Sequence, residues 1–240
     1  MPKAFLIDTT RCTACRGCQV ACKEWKNLPP VATKQTGTHQ NPPDLTPFNF
    51  KLVRFSEHLD GGVVSWYFFP DQCRHCLDAP CKMAASDPEA IIQDADTGAV
   101  IYTDKTAKED FNVIRGACPY DIPRQNPDTK ALVKCDMCID RVKANMLPMC
   151  VKSCAMGAMN FGSREEMLAL AEKRLAEVKK TAPKAQLLNP KDVAVIYLVA
   201  DDPKKYWKNA MAQAPSPLTR QQFLAKAFSP IRSITRSISG

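Results

Sequence analysis

Twelve cysteines stand in this chain, and their spacing limits what it can become more than any other feature. Cys12, Cys15, Cys18 and Cys22 follow C-x2-C-x2-C-x3-C. Cys135, Cys138, Cys150 and Cys154 follow C-x2-C-x11-C-x3-C. Cys73, Cys76 and Cys81 follow C-x2-C-x4-C, and Cys118 stands apart in Ala117-Cys118-Pro119-Tyr120. In the first run, three thiolates lie close together on one tight loop. The fourth has stepped onto the following helix and points away. Such a run supplies three ligands to one site and one to another.

That division is how bacterial ferredoxins hold two 4Fe–4S clusters side by side. The economical pairing here is reciprocal. Cys12, Cys15, Cys18 and Cys154 would hold one cluster. Cys22, Cys135, Cys138 and Cys150 would hold its neighbour. The same crossover makes Cys118 the fourth ligand of a third cluster with Cys73, Cys76 and Cys81. All twelve cysteines are then used, four to a cluster.

The gaps carry information as well. A fourth cluster would need cysteines counted back from Cys118, at Lys108, Phe111 and Ile114, and one counted forward from Cys81, at Ala85. None is cysteine, so that whole ligand set is missing.

Two other uses of cysteine fit less well. Dense disulfides belong to small domains that lack a core, and 240 residues suffice to build one without staples. Zinc takes four thiolates in two C-x2-C pairs, and C-x2-C-x2-C-x3-C crowds too many around one tetrahedral ion. Three histidines, His39, His58 and His75, show no metal-site spacing. His75 lies inside a C-x2-C, and a ligand role for it would strand cysteines, so it is expected at the surface or behind the ligands. Arg16, Arg74 and Lys134 flank cluster cysteines, where they could favour the reduced, more negative state.

The formal charge of +8 counts thiols as neutral. A 4Fe–4S cube with four thiolates carries about −2, so three would leave about +2. The basic balance reads as compensation for buried anions. No run of Lys and Arg with interleaved aromatics points to nucleic acid. The longest apolar run, Val193 to Ala200, falls far short of the roughly 20 residues that span a bilayer. Met1-Pro2-Lys3 leads straight into Ala4-Phe5-Leu6-Ile7, without a signal or twin-arginine pattern. The chain is expected to stay in the cytoplasm or to be exported on a partner that carries the signal.

Each C-x2-C follows a short apolar run: Ala4 to Ile7, Trp66 to Phe69, and Ala131 to Val133. This predicts a strand followed by a cluster loop, repeated. Ile91-Ile92 and Val100-Ile101-Tyr102 flank Asp96-Thr97-Gly98 and predict a hairpin. Residues 27–50 hold Pro29-Pro30, Pro42-Pro43 and Pro47 and predict a long irregular segment, expected to lie along a partner subunit. Ser163 and Glu166 form a capping box for a helix over 163–180, with Leu168, Ala171, Leu175 and Val178 on one face. Packing on the protein's own cluster domain is the ordinary fate of such a face. Val193 to Val199 predicts a buried strand, and the basic tail after Pro215 is expected to fray or drape on a partner. The fold class expected is α+β, with two ferredoxin-like halves, long loops and a C-terminal helical extension. The expected divisions are 1–50 with 125–162 as a two-cluster unit, 51–124 as a degenerate single-cluster unit, and 163–240 as the extension.

No nucleophile–base set, phosphate loop or dinucleotide fingerprint is present in the sequence. Clusters held wholly by cysteine have no open iron for Lewis-acid chemistry. They take up and release one electron at a time, so the chain reads as a wire.

The cysteine framework resembles the iron–sulfur subunits of molybdopterin oxidoreductases, which carry two ferredoxin-like halves and usually four clusters. Within them it is most similar to the beta subunits of soluble tungsten- or molybdenum-dependent formate dehydrogenases. The likeness runs over about residues 3–210. It rests on Asp8 to Cys18, Thr38 to Asp44, Phe68 to Cys76, Ala117 to Arg124, Lys134 to Cys138 and Gly157 to Gly162. The family usually has proline after the last cysteine, where this chain has Ala155. The resemblance implies a heterodimer with a catalytic alpha subunit holding a tungsten or molybdenum bis-molybdopterin centre. Electrons would enter at the Cys12 cluster, pass to the Cys22 cluster and leave by the Cys73 cluster. A soluble acceptor such as a multihaem cytochrome c, and a periplasmic location reached with the alpha subunit, follow from the same likeness. The competing reading is an equivalent subunit of another molybdopterin enzyme, acting on a sulfur, arsenic or nitrogen oxyanion.

Overall fold

The computed structural model describes residues 2–212; the expected tail after Pro215 lies outside them. In chain order its elements are β1 (Lys3–Asp8), α1 (Gly17–Trp25), β2 (Leu52–Asp60), β3 (Val63–Asp71), α2 (Pro80–Met83), β4 (Ile91–Gln93) and β5 (Val100–Tyr102). Then come α3 (Phe111–Ala117), β6 (Arg124–Gln125), β7 (Leu132–Val133), α4 (Ile139–Lys143), α5 (Met149–Lys152) and β8 (Met159–Ser163). The last are α6 (Arg164–Val178), β9 (Gln186–Leu188), β10 (Val195–Val199) and α7 (Pro203–Tyr206). The class is α+β, as expected.

A four-stranded sheet in the order β8-β1-β10-β9 organises the molecule. β1 runs antiparallel to β8 and parallel to β10, with Phe5 opposite Val195. Residues 186–199, counted in the sequence with the C-terminal extension, thus supply two strands of the sheet that begins at Lys3. Side chains alternate across a strand. Ala4, Leu6, Ile196 and Leu198 face α6 and pack with Met167 and Ala171. Phe5, Ile7, Val195, Tyr197 and Val199 face the other way and pack with Ala14, Cys18, Met137 and Cys150 of the cysteine loops. Both faces are covered, which is why Val195–Val199 reads as an unbroken apolar run.

α6 begins with the expected capping box, Ser163 and Glu166. Its apolar face, Leu168, Ala171, Leu175 and Val178, packs on this sheet. The predicted hairpin forms with Ile91 opposite Tyr102.

A longer hairpin, β2 with β3, was not evident from the sequence. Gly61 and Gly62 turn it, at φ +61° and +87°, a conformation glycine adopts without the Cβ penalty. At its base Asp71 accepts from Arg54 (2.7 Å) and Arg74 (2.9 Å), all three buried. Phe69 stacks on Tyr197 at 4.3 Å, joining the hairpin to the central sheet.

Residues 27–50 form no helix or strand, as expected. Their second half packs on the chain itself. Asn41 O accepts from Gln19 (2.8 Å), Leu45 is buried, and Asp44 pairs with Arg54 and Arg124.

Candidate iron–sulfur sites

All twelve cysteines are free thiols, and they surround three cavities. Cavity I is lined by Cys12, Cys15, Cys18 and Cys154 and has about 330 Å³ of empty space. Cavity II, also about 330 Å³, is lined by Cys22, Cys135, Cys138 and Cys150. Cavity III, about 340 Å³, is lined by Cys73, Cys76, Cys81 and Cys118. These are the three groupings read from the spacing.

The local backbone explains the convergence. In each C-x2-C loop the residue before the second cysteine is left-handed: Ala14 at φ +55°, His75 at +46°, Met137 at +66°. Left-handed backbone costs a residue with a Cβ roughly 1–2 kcal/mol. The turn folds the loop around the first sulfur. His75 N–H approaches Cys73 Sγ at 3.4 Å, and the backbone N–H of Ala14 favours the Cys12 thiolate. Nothing in Ala, His or Met announces this, so it was not legible in the sequence.

Helices share thiols between sites. Cys18 and Cys22 lie one turn apart on α1, about 6 Å along the axis, and serve cavities I and II. Cys150 on α5 and Cys154 just beyond it do the same. Cavities II and III are joined by adjacent residues: Gln72 and Cys73, Lys134 and Cys135. Cavity II therefore lies between I and III.

Among the described residues, no three His, Cys, Asp or Glu side chains converge on a point that suits a single ion. The thiols instead line three cavities, four to each. Buried donors also stand ready for an anion with several acceptor atoms. Gln72 Nε2 beside cavity II and Arg74 Nε and Nη2 beside cavity III are buried without hydrogen-bond partners. Four thiols per cavity and these orphaned donors fit a 4Fe–4S cluster.

Burial pushes the thiols upward, Cys12 to about 11 and Cys76, Cys118 and Cys150 to about 12. Iron must displace those protons, so loading releases them. Buried cations offset the resulting negative charge. Arg74 (2% exposed) and Lys134 (7%) both line cavity III. Lys51 (2%) lines cavity II and was not singled out in the sequence, where a lone lysine after a proline-rich stretch reads as solvated.

His75 is fully buried, which corrects the surface half of its expectation. Its Nδ1 accepts from Val100 N–H (3.0 Å) and ties the loop to β5. Burial, then Lys134, holds the ring neutral, well below the ordinary imidazole range.

Three of the four positions of the missing ligand set belong to the core, while Lys108 is exposed. Ile114 is fully buried, and Phe111 and Ala85 pack with it against Ile91 and Leu132.

The 4Fe-4S dicluster domain family matches residues 64–164. The beta subunit of formate dehydrogenase 2 (cytochrome c-553) of Nitratidesulfovibrio vulgaris is 59% identical over 88% of this chain and 99% of its own length. The formate dehydrogenase beta subunit of Megalodesulfovibrio gigas is 52% identical over 88% of this chain and all of its own. The nitrate-inducible formate dehydrogenase iron–sulfur subunit of Escherichia coli is 38% identical over 85% of this chain and 70% of its own. The chain belongs to the formate dehydrogenase beta subunits. A formate dehydrogenase beta subunit transfers electrons and works beside a catalytic subunit. No helix among the described residues is long and apolar enough to cross a membrane.

Proposed function

We propose that this beta subunit carries three 4Fe–4S clusters, one in each cavity. Cys12, Cys15, Cys18 and Cys154 hold the first; Cys22, Cys135, Cys138 and Cys150 the second; Cys73, Cys76, Cys81 and Cys118 the third. Such clusters, when bound, accept and return one electron each.

The observation that carries this reading is the serial order of the cavities. α1 lends thiols to both I and II, Cys150 on α5 and Cys154 just beyond it do the same, and single peptide units separate II from III. Electrons follow that order, entering at I from the catalytic subunit and leaving at III. In that subunit a tungsten or molybdenum bis-molybdopterin centre interconverts formate and carbon dioxide. The acceptor is a soluble c-type cytochrome, in our reading a multihaem one. The name of the Nitratidesulfovibrio relative, which includes cytochrome c-553, supports a cytochrome. Residues 27–39, mostly exposed, lie along the partner, and the complex is periplasmic, exported with the signal on the alpha subunit.

The test uses the native complex, purified without oxygen. Formate should promptly produce three iron–sulfur EPR signals from this chain. Signals that appear with dithionite and not with formate would leave the wire and remove the substrate. Fewer than three signals would refute the cluster count.

A further inference from the structure

Lys51 is buried beside two cavities without a carboxylate. Its Nζ donates to Gln72 Oε1 (2.6 Å) and to Pro70 O (3.3 Å), both neutral. Among the described residues it makes no salt bridge. A buried ammonium costs several kcal/mol unless an opposite charge compensates it. The neighbours show where that charge belongs. Lys51 and Gln72 line cavity II, while Pro70 lines cavity I. The ammonium therefore sits in the wall between the two cavities. Burial works against its charge, while Cys18 of cavity I, Cys150 of cavity II, Tyr197 and Cys135 together favour it.

We propose that Lys51 sets the reduction potentials of sites I and II together, with Gln72 fixing its head between them. This rests on the ligand sets proposed above. The physical reason is Coulombic. Each electron that arrives adds one negative charge beside a fixed positive one, in a low-dielectric wall where screening is weak. Lys51 neither gains nor loses a proton in the exchange. Because one cation serves both sites, it raises both potentials and changes the step between them little. Site III has its own buried cations, Lys134 and Arg74, and is not governed by Lys51.

The experiment is a redox titration of the anaerobically purified complex, followed by EPR, with iron counted per chain. In Lys51→Met the equilibrium constants for reducing sites I and II should fall on the order of tenfold, about 59 mV each for one electron. Site III should stay put, and iron should match the wild type. Lys51→Arg, which keeps the charge, should restore most of both potentials. If Lys51→Met loses iron, Gln72→Glu carries the test: its carboxylate beside the ammonium should lower the same two potentials. Full iron with unshifted potentials at I and II overturns the role of Lys51. A uniform shift at all three sites overturns it too, since that marks a general distortion. Wild-type complex lacking iron at I or II would sink the ligand sets themselves, whatever Lys51 does.

Discussion

Gln72 and Cys73 are consecutive residues, yet Gln72 lines cavity II and Cys73 lines cavity III. Their Cα atoms are about 3.8 Å apart. Lys134 and Cys135 straddle the same wall from the segment after β7, in the opposite sense. Removing the Cys73 thiol should therefore empty site III and leave II loaded. In Cys73→Ala, iron should fall from about twelve to about eight atoms per chain, with one EPR signal lost.

Cys150 and Cys154 stand close in sequence but line different cavities. Cys154→Ala should abolish the same EPR signal as Cys12→Ala. Cys150→Ala should abolish the signal that Cys22→Ala abolishes. Matching loss for Cys150 and Cys154 would contradict the reciprocal pairing.

Asp71 accepts from both Arg54 and Arg74, with no exposure of its side chain. Asp71→Ala leaves two guanidinium groups buried beside each other. The expected loss is about 3–5 kcal/mol, the usual result of removing one partner from a buried ion pair. Chemical denaturation of the anaerobic complex would measure it, and a loss under about 1 kcal/mol would mean water reaches the site.

Ala14 is left-handed in the first cysteine loop, at φ +55°, and 8% exposed. A β-branched residue there meets both backbone strain and crowding. Ala14→Val should cost about 1–3 kcal/mol and lower iron occupancy at site I ahead of the other two. Site-resolved EPR would read the order of loss.

Much of this architecture was legible in advance, for identifiable reasons. Cysteine spacing is a covalent constraint, so the three groupings could be read from the chain. Ser163 and Glu166 signal a helix start by local hydrogen bonding alone. What escaped notice depends on residues far apart. The pairing of Phe5 with Val195 has no local signature. The burial of Lys51 depends on Gln72 and Pro70 arriving from a later strand. The left-handed Ala14, His75 and Met137 are held by the cavities they line or adjoin, not by their own preference.

Hydrogen-bond and charge geometry also set a pH response. Lys143, then Thr97, holds the Asp94 carboxyl down at about 2, against an ordinary 3.8. A depressed carboxyl stabilises the fold above its ordinary value and loses that effect as pH falls through the lowered one. Asp94→Asn should therefore cost stability at pH 6, by about 1 kcal/mol or less because the pair is partly solvated, and cost progressively less toward pH 2. Denaturation midpoints of variant and parent across that range would show the convergence.

The parallel pairing of β1 with β10 has a consequence for biogenesis. The strand that leads into Cys12 finds its neighbour only when residues 195–199 have been made. Contacts of such long sequence separation form late, because the closure entropy of the intervening chain is paid first. A nascent chain still on the ribosome can therefore present its first cysteines, but not the sheet that seats them. Iron delivery must wait for nearly the whole polypeptide, and a chain truncated before Val195 should be unable to keep what it is given.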